Sequence, residues 1–119
     1  MRLKTIIVDD EPLAVSILEK YAAEIKEIEL LATFNNAVEA ASFVQNNPLD
    51  LIFLDINMPV LDGLSFLKSL DLKPMVIMTT AHENHALESF ELQAIDYLVK
   101  PIPFPRFLKS VQRIIQLKK

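Results

Sequence analysis

Four short apolar runs constrain this chain more than any other feature: Ile6-Ile7-Val8, Leu51-Ile52-Phe53-Leu54, Met75-Val76-Ile77-Met78 and Tyr97-Leu98-Val99. Each is continuous. A strand with one wet face alternates apolar and polar residues, whereas a run apolar at every position needs cover on both faces, as in a parallel sheet between two helix layers. A fifth, weaker strand is expected between Glu29 and Phe34, and its charged entrance suits a sheet edge. Helix-length segments lie between the runs. Pro12 suits a first helical turn, and Leu13, Ile17, Tyr21 and Ile25 follow at helical spacing. Asn36-Ala37-Val38-Glu39 reads as a capping box, with Ala40, Ala41 and Val44 behind it. Asp62 can cap a helix carrying Leu64, Leu67 and Leu70, although Gly63 weakens its first turn. A short helix through Leu87 and Phe90 is expected after the loop from Ala81 to Asn84. The last helix presents Phe104, Leu108, Val111 and Ile115 on one side and leaves Arg106, Lys109 and Arg113 mainly to solvent.

The order is strand then helix, five times over, which predicts an α/β fold with right-handed crossovers and an open parallel sheet. Five strands are too few to close a βα barrel. The 119 residues contain no repeat, low-complexity tract or linker, so one domain over residues 1–119 is expected. A composition 51% hydrophobic and 24% charged is that of a globular domain. The absence of cysteine excludes disulfides, thiolate metal sites and cysteine nucleophiles, and a single glycine excludes glycine-rich phosphate loops. A net charge of −4 argues against nucleic-acid binding by this segment. No apolar run approaches the ~20 residues of a membrane span, and the N-terminus enters a strand pattern directly; the cytoplasm is the expected location, with no membrane partner.

In open parallel sheets the chemistry lies beyond the carboxyl ends of the strands. The first strand ends in Asp9-Asp10-Glu11, the third in Asp55, the fourth in Thr79-Thr80 and the fifth in Lys100-Pro101. If strands one and three are neighbours, Asp9, Asp10 and Asp55 converge within a few ångströms. Three carboxylates that close need compensating positive charge, which Lys100 and a divalent cation would supply. Oxygen ligands without His or Cys favour Mg²⁺, and such a site suits phosphoryl transfer, with an Asp itself able to serve as nucleophile. Taken singly, each residue has a plainer reading. Asp10 or Glu11 can cap the helix at Pro12, Thr80 can be a turn hydroxyl, and Lys100 a solvated charge. The ordered set on four strand ends carries the inference.

That set resembles the receiver domains of two-component response regulators, in Val8-Asp9-Asp10-Glu11-Pro12, Leu54-Asp55-Ile56-Asn57-Met58-Pro59 with Asp62-Gly63, Thr80-Ala81, and Tyr97-Leu98-Val99-Lys100-Pro101. The resemblance covers Arg2 to about Leu117. It implies a flavodoxin-like, doubly wound (βα)5 sheet with strand order 2-1-3-4-5. It implies that Asp55 is the phosphoacceptor for a sensor histidine kinase. Asp10 and Asp55 would be direct Mg²⁺ ligands, Asp9 would act through bound water, and the Asn57 backbone carbonyl would complete the set. Lys100 would pair with phosphoryl oxygens and precede a peptide bond often cis in the family. Thr80 and Tyr97 match a switch pair that alters the face made by the fourth helix, fifth strand and fifth helix, which is also a possible homodimer surface. Asn57 and His82 match positions that set the lifetime of the phosphorylated form. Ala86–Phe90 with Glu91, Ala94–Ile102 and Arg106-Phe107 resemble the subgroup that precedes a LytTR-type DNA-binding domain. DNA would then be reached only through a C-terminal effector domain absent from this chain, which would be a receiver fragment, the favoured reading, or else a stand-alone receiver.

His82 and His85 lack partners at metal-ligand spacing. Met75 and Met78 read as packing residues, and Asp50, Asp71 and Asp96 as turn or strand-entrance residues away from the site. The expected activity is that of a switch, not an enzyme beyond its own aspartyl phosphorylation and dephosphorylation. The alternatives are a Mg²⁺-dependent phosphohydrolase with an Asp nucleophile, which usually carries a second acid where this chain has Asn57, and an unphosphorylated scaffold receiver, which usually lacks an acid or the lysine.

Overall fold

The structure is a computed structural model describing residues 2–58, 63–70, 74–81 and 94–118. Its strands are β1 (Leu3–Val8), β2 (Ile28–Phe34), β3 (Leu51–Asp55), β4 (Met75–Thr80) and β5 (Asp96–Val99). The helices are α1 (Pro12–Ala23), α2 (Ala37–Asn46), α3 (Gly63–Ser69) and a C-terminal helix (Phe104–Lys118). All strand pairs are parallel and the order is β2-β1-β3-β4-β5. This is the flavodoxin-like sheet expected from the sequence, with β2 at an edge.

The unbroken apolar runs follow from two cores, one on each face. Ile7, Phe53, Ile77 and Leu98 point toward α1 and the C-terminal helix, where Leu18, Ala22, Phe107, Val111 and Ile114 meet them. Ile6, Val8, Ile52, Leu54, Val76 and Met78 point the other way, onto Ala37 and Ala40 of α2, Phe66 of α3 and Leu70 just after it. Successive strand side chains alternate faces, so each run must be apolar at every position. Burying each aliphatic side chain contributes about 1.5–3 kcal/mol, which favours apolar residues through the strand centres; the buried Thr5 of β1 is accommodated because its hydroxyl donates to the Leu3 carbonyl at 2.8 Å. Phe53 stacks on Phe107 with ring centroids 4.9 Å apart and anchors the last helix.

Local signals act where expected. Pro12 occupies the first turn of α1, and the Asn36 side chain accepts the Glu39 N–H at 2.9 Å to cap α2. On the edge strand, Thr5 pairs with Leu30 and Ile6 with Ala32, so Leu31 is an extra residue. That bulge turns Leu31 toward solvent and disrupts an edge that could otherwise template another strand.

Helix faces differ from the expectation. Leu13 is 74% exposed, and α1 buries Leu18 and Ala22 instead. The C-terminal helix buries Phe107, Ser110, Val111 and Ile114, with Phe104, Leu108 and Ile115 on the flanks; the Phe107–Phe53 stack sets this rotation. Arg106 is not simply solvated. Its guanidinium forms a two-pronged pair with Asp96 at 2.9 and 2.8 Å. The expected helix through Leu87 and Phe90 lies outside the described residues, as do Asp62, Asp71, His82 and His85.

Candidate functional site

Parallel strands end on one side of a sheet, so β1, β3, β4 and β5 deliver their terminal polar groups to one edge. The register is close: Val8 pairs with Leu54, Asp55 with Thr79, and Thr80 with Val99. Asp9, one residue past β1, is 1% exposed and Asp55, the last residue of β3, is 3% exposed. Thr80, ending β4, is fully buried. Lys100, one residue past β5, donates its backbone N–H to the Thr80 carbonyl at 2.7 Å, and the Lys100–Pro101 bond is cis.

The Lys100 ammonium is the centre of charge. It lies 2.9 Å from Asp9 Oδ2 and 3.4 Å from Asp55 Oδ2, and it donates to Glu11 Oε1. Burial alone would lower the lysine pKa, but Glu11, Asp9 and Asp55 more than reverse this and raise it. Asp55 moves the other way from an ordinary carboxyl. Burial and the neighbouring Asp9 charge push its pKa up to about 7, against the opposing pull of Lys100 and of the Asn57 N–H, which donates to Asp55 Oδ1 at 3.1 Å. One ammonium therefore serves three acids.

Oxygens of Asp9, Glu11 and Asp55 all lie within 4.8 Å of one another. Asp10, expected from the sequence to converge with Asp9 and Asp55, stands outside that group, and Glu11 takes part instead. The cause is local. The Asp9 side chain accepts the Glu11 N–H at 2.9 Å, and Glu11, the N-cap of α1, makes no side-chain cap bond; Lys100 draws its carboxylate toward the site. The spacing Asp9-x-Glu11 was the available signal, hidden by the capping role that Pro12 suggests.

A compact set of hard carboxylate oxygens with excess negative charge fits Mg²⁺ chemically. The buried Asp55 carboxylate can act as a nucleophile toward an electrophile that also engages Lys100. Asn57 reaches the same corner, its side-chain amide donating to Thr80 Oγ1 at 3.4 Å. Tyr97 pairs in register with Met78 and packs on the α2/α3 side of the sheet; Thr80, two residues beyond Met78, shares that side. His82 lies outside the described residues.

The structure is thus an open five-stranded α/β sheet with a carboxylate–lysine site at its carboxyl edge. Residues 5–112 match the response regulator receiver domain, and the chain belongs to that family, the receiver domains of two-component response regulators. It is 38% identical over 115 residues to the transcriptional regulatory protein YpdB of Escherichia coli K12, covering 94% of this chain and 47% of that protein. It is 40% identical to the transcriptional regulatory protein BtsR of the same organism, covering 96% and 48%. The crystal structure of the response regulatory domain of mrkE from Klebsiella pneumoniae superposes with a TM-score of 0.89 at 36% identity, covering 97% of each chain. The chain spans about half the length of these curated relatives. Among the described residues no helix is long and apolar enough to cross a membrane.

Proposed function

We propose that this chain is a single receiver domain, residues 1–119, that accepts a phosphoryl group on Asp55 from the phosphohistidine of a sensor histidine kinase. The observation that carries the reading is Asp55 itself: buried, raised to about 7, and within 3.4 Å of Lys100. An Asp55 carboxylate oxygen forms the bond to phosphorus as the P–N bond breaks; the electron pair goes to the ring nitrogen, and the proton already carried by the other ring nitrogen lets the imidazole leave neutral. The Lys100 ammonium draws the phosphoryl oxygens over Asp55 and offsets their charge. Asp10, Asp55 and the Asn57 carbonyl would hold Mg²⁺, with Asp9 acting through water, as the family resemblance implies, although the carboxylates grouped in the structure are those of Asp9, Glu11 and Asp55; the ion would supply the remaining charge neutralisation.

The phosphoryl group adds about −1.5 to −2 charge and three acceptor oxygens. The Thr80 hydroxyl shifts toward them, and the Tyr97 ring follows into the space beside β5. The face formed by the segment before β5, by β5 and by the C-terminal helix then changes shape, biasing an existing two-state equilibrium. That face is the proposed homodimer surface. Asn57 and His82 flank the phosphoryl group and set its lifetime. In the cytoplasm, a LytTR-type DNA-binding domain joined to this receiver would convert the switch into transcriptional control; the regulator names of YpdB and BtsR support that reading.

The chain incubated with acetyl phosphate and Mg²⁺ is expected to gain one base-labile phosphoryl adduct by mass, absent in Asp55→Asn. Rapid turnover of the donor without a persistent adduct would identify a phosphohydrolase. Neither adduct nor turnover would identify a scaffold.

A further inference from the structure

We propose that Tyr21 is a positioning residue for Lys100, an inference that rests on the phosphoryl transfer to Asp55 proposed above. Lys100 is followed by Pro101, Ile102 and Pro103 before the C-terminal helix begins at Phe104. The two prolines lack N–H groups, so this segment has few donors with which to fix itself. The Ile102 carbonyl instead accepts the Tyr21 hydroxyl at 2.7 Å, a bond spanning 81 residues of sequence.

The tyrosine is itself held firmly. Its ring meets Phe104 edge-on at 5.2 Å and Phe107 at 5.3 Å, and Phe107 stacks on Phe53 of β3, two residues before Asp55. The tether therefore refers the lysine-bearing segment to the strand that carries the nucleophile. Packing contributes as well: Ile102 is 7% exposed and belongs to the core cluster that includes Leu18 of α1 and Phe107. Beside it lies a cleft of about 280 Å³ lined by Ala14, Ile17, Pro101 and Ile102, so the hydroxyl adds a directional hold where the cover is looser. α1 thus grips the segment at two places: the Glu11 carboxylate at its N-cap holds the Lys100 ammonium, and the Tyr21 hydroxyl holds the backbone beyond it. The Lys100–Asp55 contact is the longest of the three the ammonium makes, so it is the first to be lost if the segment relaxes.

Tyr21→Phe keeps the ring and removes the hydroxyl; Tyr21→Leu removes both. The test uses the full chain with Mg²⁺ and acetyl phosphate, following adduct formation by mass across donor concentrations. Tyr21→Phe is expected to slow the rate at saturating donor by roughly three- to tenfold, less than the ~100-fold that a 1 Å misplacement can cost, with the half-saturating donor concentration unchanged. Without donor or Mg²⁺, amide exchange at Lys100 and Ile102 is expected to accelerate relative to Leu98. A Tyr21→Phe chain with a lowered unfolding midpoint but wild-type rate and exchange would overturn the proposal and leave the hydroxyl a structural group, even if Tyr21→Leu fails to fold. A wild-type chain that forms no Asp55 adduct would overturn the functional reading instead, and the exchange arm would still report whether the tether exists.

Discussion

Asp50 lies just before β3 and Asp55 at its end, and the two carboxylates live under opposite conditions. Asp50 accepts the Lys4 N–H at 2.8 Å and pairs with Lys118 at 2.9 Å; burial raises its pKa, but these partners outweigh that and hold it below the ordinary value. Asp96, opening β5, is held low in the same way by the two-pronged Arg106 contact, despite burial. At the strand entrances each acid has its own cation. At the strand exits Asp9, Glu11 and Asp55 share Lys100, and Asp55 rises to about 7. Charge matched locally stabilises a fold; charge left in excess at a buried edge costs stability and creates affinity for whatever neutralises it.

The two ends therefore respond to pH with opposite sign. Asp50 and Asp96, lowered in the folded state, contribute stability that is present above the unfolded value and lost as pH falls through their native pKa. Asp55 is raised from 3.8 to about 7, so across that window the folded chain holds a proton the unfolded chain has released. Its contribution falls as pH rises through the window, and the full penalty is present above it.

The largest expected effect comes from removing the shared cation. Lys100→Met leaves three acids uncompensated and is expected to cost about 3–5 kcal/mol near pH 8. Urea unfolding should find a smaller loss near pH ~5, where Asp55 is protonated; an equal loss at both would mean that the acids are not coupled through the lysine. Next is a change of opposite sign. Asp55→Asn removes one of the crowded charges and is expected to stabilise the Mg²⁺-free chain by roughly 1–4 kcal/mol near pH 8. Thermal unfolding at stepped pH should show the gain shrinking toward pH ~4, and a destabilised Asn variant at high pH would break the contrast between the two ends. The smallest effect belongs to the matched end. Arg106→Gln is expected to cost about 1–2 kcal/mol, limited because the guanidinium side chain is 40% exposed. The same denaturant titration should find this cost near pH ~7 and find it reduced once Asp96 is protonated in acid.

Much of the fold was legible because the strand runs are short, separate and apolar at every position, a pattern that few arrangements other than a covered parallel sheet accommodate. Asp9, Asp55, Thr80 and Lys100 were legible as a set because each interrupts such a run at the same end. Helix rotation was less so. The line Leu13, Ile17, Tyr21 and Ile25 has correct spacing, yet the side that is buried depends on where the helix crosses the sheet. The partnership of Arg106 with Asp96 and of Tyr21 with Ile102 left no periodic trace, because each joins residues that only the chain crossing brings together. Glu11 was visible as an acid, but whether it caps α1 or faces Lys100 is a competition between two partners that spacing does not rank.

By itself the sequence determined the alternation of strand and helix and the end of the sheet where polar groups gather, because side-chain period and apolar continuity are local properties. Only the tertiary structure decided which acids share the lysine, which helix faces are buried, and that a tyrosine on α1 reaches the backbone beyond Lys100. Those outcomes depend on distances between segments far apart in the chain, and the strengths of ion pairs and hydrogen bonds are set by such distances and by burial.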